Sequence, residues 1–258
     1  MTFKSLTFLL LIAFTFQASN LYVRYWGKSN NFNTVTEAVN AAAKIKPTSE
    51  SQRVTIHIAP GTYREQIVVN TPYVTFINDE PSKGEVWLTW YYGIGYKYYS
   101  VGDDGRYNAN YAKSKSRKAE PIQRWGGTVQ INYQATYFKA VNINFENSFN
   151  RYVTSEEIAD GVTPSGTQSI NFKRVSGADV RSKAATERGA ALTIDGDRAE
   201  FKSCKFFSSQ ATLYTRTKTG YFKNCKIEGN TDYIFGSGDY VFDSCELSFY
   251  GYSSGSVG

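Results

Sequence analysis

Apolar and polar residues alternate in a pattern that repeats near the C-terminus of the chain. The sequence Phe-Lys-Ser-Cys-Lys-Phe starts at Phe201, and similar sequences start at Phe222 and Phe242, 21 and then 20 residues further on. Within each copy the apolar positions have the period of two that a β-strand requires. No helical pattern separates the copies. The repeat therefore predicts a parallel β-helix, in which each coil of the chain stacks on the one before it.

Aligning the coils predicts which residues become neighbours in space. Equivalent positions of successive parallel coils lie about 4.8 Å apart. The alignment sets residues 210–214 beside residues 231–235, so that Ala211 and Asp232 lie next to each other on one face. Arg188 precedes Gln210 by 22 residues and is expected in the same column. A column of polar side chains on the outside of a β-helix predicts a site for a polysaccharide.

The rest of the chain predicts a cap, further strands and two long loops. Thr34 and Glu37 have the spacing of a capping box, and the following alanines predict a short helix through Ile45 that closes the first end of the solenoid. Period-two patterns and turn residues predict short strands at 54–58, 66–69, 73–77, 129–132 and 138–145. The pattern fails at residues 90–127 and 150–183, which are predicted to be insertions. The first insertion contains a basic cluster at residues 113–118.

Four further segments carry motifs of a known enzyme family, in the same order along the chain. Residues 61–65 (GTYRE) are similar to G-x-Y-x-E, residues 210–213 (QATL) to Q-D-T-L, and residues 232–236 (DYIFG) to D-F-I-F-G. Residues 190–192 (AAL), with Gly196-Asp197 after them, fall where the family has Q-A-V-A-L and G-D. In these motifs the chain resembles the pectin methylesterases, or pectinesterases. The similarity extends from about Phe32 to the end of the chain.

The resemblance implies a fold and a set of site residues. The fold is all-β, a right-handed parallel β-helix with a short N-terminal capping helix. The implied reaction is hydrolysis of methyl esters in homogalacturonan, the pectin of plant cell walls, without a cofactor or a metal ion. Asp232 corresponds to the nucleophile, Gln210 to the group that holds the oxyanion, and Ala211 to the position of the general acid. The substrate-binding residues are expected to be Arg188, Tyr233 and Phe235.

The chain departs from the family pattern in three places. Ala211 stands where the family has its acid aspartate, and loss of a general acid typically lowers the rate about 100- to 10,000-fold. Arg188 stands where the family has a glutamine, although an offset of one residue would put Glu187 there. The arginine of the family's L-G-R-P-W motif lies several coils beyond D-F-I-F-G and does not occur before Gly258. We therefore expect that C-terminal coils are missing and that esterase activity is impaired.

Two other functions remain open from the sequence. The first is a family member that binds pectin without hydrolysing it, which Ala211 favours. The second is a polygalacturonase, because residues 230–232 spell that family's N-T-D. That hydrolase also needs G-H-G and R-I-K motifs, and the chain has neither; its single histidine is His57.

Composition and charge are consistent with a polysaccharide ligand. The 258 residues are 41% hydrophobic and 16% aromatic, and 29 Lys and Arg against 23 Asp and Glu give a net charge of +6. A positive excess suits a polyanion such as de-esterified pectin; nucleic acid is the generic alternative, but no nucleic-acid-binding module is present. Aromatic rings suit stacking on sugars.

The N-terminus predicts the compartment. Lys4 precedes an apolar run at residues 6–14, and small residues follow at Ala18 and Ser19. This pattern is typical of a secretory signal peptide over residues 1–19, with cleavage near residue 18 or 19. The domain is then residues 20–258, and we expect a secreted, extracellular monomer without a membrane segment.

Several of these residues also have simple structural interpretations. Asp232 could cap a turn, and Glu65 is expected to hold a corner of a coil by hydrogen bonds. His57 is expected to be an ordinary strand residue. The three cysteines, at positions 204, 225 and 245, occupy positions on the inner face of their strands and are expected to be buried thiols that act as small apolar groups. Their odd number leaves at least one unpaired within the chain.

Overall fold

The computed structural model describes residues 18–112, 118–162, 174–181 and 188–252, with only the backbone of Val162 and Thr217. Residues 1–17, which carry most of the predicted signal peptide, lie outside the described residues, as do Glu187 and residues 113–117 of the basic cluster. None of the helices in the described part of the chain is long and apolar enough to cross a membrane.

The described residues form three short α-helices and twenty strands. The helices are α1 (Val35–Ile45), α2 (Ala109–Ala112) and α3 (Ser155–Asp160), and single 3-10 turns cover Glu50–Gln52, Arg124–Gly126 and Ser148–Asn150. The strands are β1 (Ser19–Val23), β2 (Asn31–Phe32), β3 (Val54–Ile58), β4 (Gly61–Arg64), β5 (Ile67–Val69), β6 (Val74–Ile77), β7 (Val86–Trp90), β8 (Lys97–Tyr98), β9 (Glu120–Pro121), β10 (Val129–Ile131), β11 (Lys139–Val141), β12 (Ile143–Asn147), β13 (Gly161–Val162), β14 (Leu192–Ile194), β15 (Ala199–Lys202), β16 (Lys205–Phe207), β17 (Leu213–Lys223), β18 (Lys226–Gly229), β19 (Ile234–Asp243) and β20 (Glu246–Phe249).

The strands form three parallel faces around one core. The first face contains β5, β10, β14 and the N-terminal parts of β17 and β19. The second contains β1, β2, β3, β6, β11, β15 and the C-terminal parts of β17 and β19. The third contains β4, β7, β12, β16, β18 and β20. Every pair within these faces is parallel, which confirms the predicted parallel β-helix.

In four successive coils, a single left-handed residue turns the chain from the second face towards the third. Asn142, Ser203, Asn224 and Ser244 all have left-handed backbone conformations, with φ between 52° and 58°. Short polar side chains tolerate this conformation better than bulky or branched ones. The strand predicted over residues 138–145 is therefore divided into β11 and β12, because Asn142 bends the chain between them.

The predicted column of cysteines lies inside the solenoid. Cys204 and Cys225 are buried, Cys245 is half-buried, and all three are free thiols. The neighbouring column is also in register, since Phe206 pairs with Ile227 and Ile227 with Leu247. Leu247 belongs to the last described coil and is exposed, because no described coil packs beyond it. The structure thus confirms the coil alignment.

The predicted capping helix is confirmed at the first end of the solenoid. Thr34 and Glu37 form the capping box, and the buried face of α1 packs against the first strands. The Glu65 carboxylate accepts hydrogen bonds from the backbone N–H groups of Val35 (3.0 Å) and Thr36 (2.9 Å) at the start of α1. Glu65 therefore joins the helix to the solenoid, as its structural interpretation predicted.

The two segments that break the coil pattern contain their own short elements. β8 pairs with β9 and β13 in a small antiparallel sheet, which joins residues 90–127 to the second insertion. His57 lies far from these segments in β3, where its ring nitrogens contact Asp79 and Asn20. His57 is thus a satisfied strand residue.

We predict that Ile227→Asp prevents folding. The Ile227 side chain is completely buried between neighbouring coils, and an unpaired charge there costs several kcal/mol against a total stability of about 5–15 kcal/mol. Val241→Asp makes the same kind of change at a residue that is 57% exposed and should alter stability by about 0.5 kcal/mol or less. Urea unfolding measures both. Equal stability of the two variants would contradict the assignment of Ile227 to the core.

Candidate functional site

The coil register brings Ala211 and Asp232 together. Leu213 pairs with Ile234, and the N–H of Leu213 donates to the carbonyl of Tyr233 at 2.8 Å. The N–H of Ala211 donates to the carbonyl of Thr231 at 3.4 Å, so residues 211 and 232 are direct neighbours on adjacent coils. This arrangement agrees with the sequence alignment of the two motifs.

Arg188 continues the column by one coil. Its backbone forms a parallel bridge with Gln210, and the next residue, Gly189, donates its N–H to the carbonyl of Gln210 at 3.3 Å. The predicted residues Arg188, Gln210, Ala211 and Asp232 are therefore all brought together at the start of the first face.

Ala211 and Asp232 share an unusual backbone conformation. Their φ angles are 66° and 49°, in the left-handed region. Asp is several-fold enriched in this region relative to most residues, whereas the left-handed conformation costs alanine roughly 1–2 kcal/mol. The backbone at residue 211 therefore suits an aspartate better than the alanine it holds.

The Asp232 carboxylate lies on the outer surface at the start of the first face, and we call this part of the surface the groove. Asp232 is exposed, and no hydrogen bond or ion pair to its carboxylate occurs among the residues that the structure describes. Ala211 is 2% exposed. The guanidinium of Arg188 lies 6.0 Å from the ring centre of Trp125 and does not pair with Asp232. Among the described residues, the site therefore offers one free carboxylate, that of Asp232, and an alanine at the neighbouring position 211.

Three aromatic rings line the groove next to the carboxylate. The rings of Tyr214 and Phe235 stack with centroids 4.8 Å apart, and Trp125 contacts Phe235 edge to face at 4.9 Å. The Trp125 backbone is fixed by a hydrogen bond from the N–H of Ala190 to its carbonyl at 2.8 Å. Phe235 thus lies in a cluster of rings, whereas Tyr233 packs against the core, and the substrate contacts of both residues stay predictions.

The sequence analysis did not identify Trp125 or Tyr214 as site residues. Tyr214 could have been found, because the coil alignment places it directly beside Phe235. Trp125 comes from the first insertion, where no repeat indicates its position.

A hydrogen bond from Asn150 holds the backbone carbonyl of Gln210 in place. The side-chain oxygen of Gln210 has no hydrogen-bond partner among the described residues. Asn150 Nδ2 donates to the carbonyls of Gln210 (3.0 Å) and Gly189 (3.2 Å) and to Ser208 Oγ (2.7 Å). Gln210 is 9% exposed, and within the described ranges its Oε1 is buried without a hydrogen-bond partner. A buried unpaired polar atom lowers stability, so this side chain is retained at a cost to the fold.

Comparison with known proteins identifies relatives of this chain. The family model described as pectinesterase matches residues 129–253, which include Arg188, Gln210, Ala211 and Asp232. Over these residues the chain is similar to the pectinesterases. Pectinesterase QRT1 of Arabidopsis thaliana is 28% identical over 222 residues, 85% of this chain and 45% of the relative. Pectinesterase 1 of Olea europaea is 28% identical over 82% of this chain and 43% of the relative.

Solved pectinesterase structures have the same fold. The pectin methylesterase from carrot superposes with a TM-score of 0.58 at 22% identity, over 92% of this chain and 55% of the carrot enzyme. Pectin methylesterase PemA from Erwinia chrysanthemi gives the same TM-score at 20% identity, over 90% of this chain and 55% of that enzyme. The chain spans about half the length of the curated pectinesterases it matches.

We predict that Gln210→Met leaves the chain as stable as the wild type, or up to about 1 kcal/mol more stable, because Met removes a buried oxygen that has no partner among the described residues. Asn150→Leu is the matched variant, since it removes a similarly buried amide that makes three hydrogen bonds. It should lower stability by about 1–3 kcal/mol. Urea titrations measure both changes, and a loss from Gln210→Met as large as that from Asn150→Leu would contradict the prediction.

Proposed function

We propose that the chain binds methyl-esterified homogalacturonan along the groove over Gln210, Ala211 and Asp232, and that it hydrolyses the methyl esters with impaired activity. The observation that carries this proposal is the direct pairing of a free Asp232 carboxylate with an alanine at the position of the general acid. The match of residues 129–253 to the pectinesterase family model supports the ester as the substrate.

The proposed reaction assigns a separate role to each residue. An Asp232 oxygen attacks the ester carbonyl carbon, and the negative charge that develops on the carbonyl oxygen is stabilised by the side-chain amide of Gln210, a type of contact worth roughly 3 kcal/mol. The carbon–oxygen bond to the methoxy group then breaks, and this group must take a proton to leave as methanol. Water hydrolyses the remaining anhydride and restores Asp232.

Ala211 limits the step in which methanol leaves. Its methyl group cannot give a proton, so the proton must come from solvent. The buried position of Ala211 would raise the pKa of a carboxyl group placed there, because burial disfavours the charged form. A raised pKa suits a general acid, and the alanine supplies none of this assistance.

The aromatic rings of the groove support a sugar polymer as the ligand. Phe235 and Tyr214 present a stacked pair beside Asp232, and such rings pack well against the apolar faces of sugars. A related pectin methylesterase has been solved in complex with a hexasaccharide, at 22% identity over 90% of this chain and 55% of that enzyme. The net charge of +6 favours an acidic polymer.

We further propose that the protein acts outside the cell as a monomer.

Binding without catalysis is the second candidate function, and Ala211 is the observation that favours it. A polygalacturonase is not supported, because its chemistry would need a histidine close to Asp232. The only histidine, His57, lies in β3, five strand spacings from β19, or roughly 24 Å along the solenoid.

Methanol release from methylated pectin tests the proposal. Wild type should release little methanol, Ala211→Asp should raise the rate about 100-fold, and Asp232→Ala should abolish what remains. Ala211→Asn is the control for the carboxyl group, because Asn also favours the left-handed backbone but cannot transfer a proton. It should not raise the rate.

Two outcomes would count against this assignment. Full turnover that survives Asp232→Ala would show that another residue is the nucleophile. Equal rates for Ala211→Asp and Ala211→Asn would show that the added group does not act as an acid. Binding of methylated pectin with no methanol release from any variant would support the non-catalytic alternative.

A separate prediction concerns the aromatic groove. Phe235→Ala should weaken binding of a fully methylated galacturonate hexamer by about tenfold, because it removes one ring of the stacked pair. Phe249→Ala is the control, since Phe249 is 68% exposed on β20 of the third face. Isothermal titration calorimetry measures both affinities. Equal losses in the two variants would exclude a specific role for Phe235.

A further inference from the structure

The short turn that brings Trp125 to the groove has a strained backbone. Arg124, Trp125 and Gly126 are three consecutive residues in the left-handed region, with φ angles of 50°, 60° and 64°. Glycine adopts this conformation freely, whereas it is unfavourable for residues that carry a Cβ atom. A strained backbone persists only where the surrounding structure holds it in place. The turn therefore depends on contacts from the segments around it.

The side chain of Asn147 contacts this turn and the two segments beside it. Asn147 is the last residue of β12 and is completely buried. Its Nδ2 donates to the carbonyls of Tyr92 (2.9 Å), Gly126 (3.3 Å) and Ala190 (3.2 Å). Its Oδ1 accepts the N–H of Phe149 at 3.0 Å. One buried amide thus joins both ends of the first insertion to the coil that leads into β14.

Two of these carbonyls fix the position of Trp125. Gly126 directly follows Trp125, and the N–H of Ala190 donates to the Trp125 carbonyl at 2.8 Å. Asn147 therefore holds the residue after Trp125 and also the residue that binds the Trp125 backbone.

Two glycines leave the space that this arrangement needs. A Cβ atom at Gly189 would lie 2.6 Å from Asn147 Nδ2 and 2.7 Å from the carbonyl oxygen of Tyr92. A Cβ atom at Gly126 would lie 2.6 Å from the same oxygen. These distances are too short for real Cβ atoms, so the backbones of three segments meet around Asn147 at glycine contact distance.

The held turn delivers the Trp125 ring to the groove. The centre of this ring lies 4.9 Å from that of Phe235 and 5.7 Å from that of Tyr214. The Arg188 guanidinium lies 6.0 Å from it. Trp125 is therefore the residue through which the first insertion reaches the column of site residues.

We propose that Asn147 is a positioning residue, which holds the left-handed turn so that the Trp125 ring stays in the groove and raises the affinity for the polymer. This inference rests on the proposed function. Asn147 is completely buried, so it acts through Trp125 and not by touching the ligand.

Fluorine NMR of protein labelled with 5-fluorotryptophan tests the positioning without a ligand. The chain has four tryptophans, and Trp125→Phe assigns the resonance of Trp125. Asn147→Ala should shift or broaden this resonance, because the turn loses its buried donor. Asn78→Ala is the matched control, since Asn78 is 1% exposed and its Nδ2 donates to the carbonyl of Gly84 at 3.0 Å, after β6 of the second face. It should leave the Trp125 resonance unchanged.

A double-mutant cycle, measured by calorimetry with the fully methylated galacturonate hexamer, tests the effect on binding. Trp125→Ala should weaken binding about tenfold and Asn147→Ala about fivefold. When Trp125→Ala is already present, Asn147→Ala should cause a further loss of less than about twofold, because the ring through which it acts is absent. A general structural role would instead give losses that add.

A milder variant and a stability measurement keep the test decisive. Asn147→Ser retains one hydroxyl donor and should give smaller changes in the same direction, and urea unfolding establishes that each variant is folded. The proposal is wrong if folded Asn147 variants leave the Trp125 resonance unchanged, if Trp125→Ala binds the hexamer as tightly as wild type, or if the two losses add. Failure of the proposed function appears differently, as a wild type that does not bind the hexamer or as methanol release that survives Asp232→Ala. The fluorine spectrum of the unliganded protein still decides whether Asn147 holds Trp125.

Discussion

The hydrogen-bonded register between parallel coils is the constraint on which the rest of the structure depends. Each coil lies about 4.8 Å from the next, and the backbone ladder fixes which side chains meet. A slip of β19 by one residue along β17 would turn Ile234 out of the core and would separate Ala211 from Asp232. The packing of the apolar interior therefore also determines the geometry of the site.

The site lies where this regular ladder is locally strained. Ala211 and Asp232 have left-handed backbones at the start of the first face, and Gln210 retains a buried oxygen without a partner in the described structure. Both features lower stability, and the coils on either side hold them in place. The left-handed residues at the other corner, such as Asn142 and Asn224, are of types that tolerate the conformation, whereas Ala211 is not. Residue 211 is thus a place where the backbone conformation and the side chain present do not match.

The groove is built by two different parts of the chain. The regular coils supply a column of outward side chains, which includes Tyr214, Arg216 and Phe235. The first insertion supplies Arg124 and Trp125, which lie against that column. A solenoid can vary such insertions without disturbing its core, because each coil contacts mainly its neighbours. Substitutions in the insertion can therefore change the aromatic rings and the positive charges along the groove without changing the fold.

The sequence by itself determined the repeat, the coil alignment, the capping helix and the pairing of Ala211 with Asp232. These features are encoded locally, by a period of two, a capping box and a spacing of 20 to 22 residues. Only the tertiary structure placed Trp125 beside Phe235 and Arg124 beside Asp195. Those contacts join an insertion without periodicity to coils that lie about 70 to 110 residues later in the chain. No local sequence pattern indicates such a contact, because the contact depends on how the insertion folds back over the stacked coils.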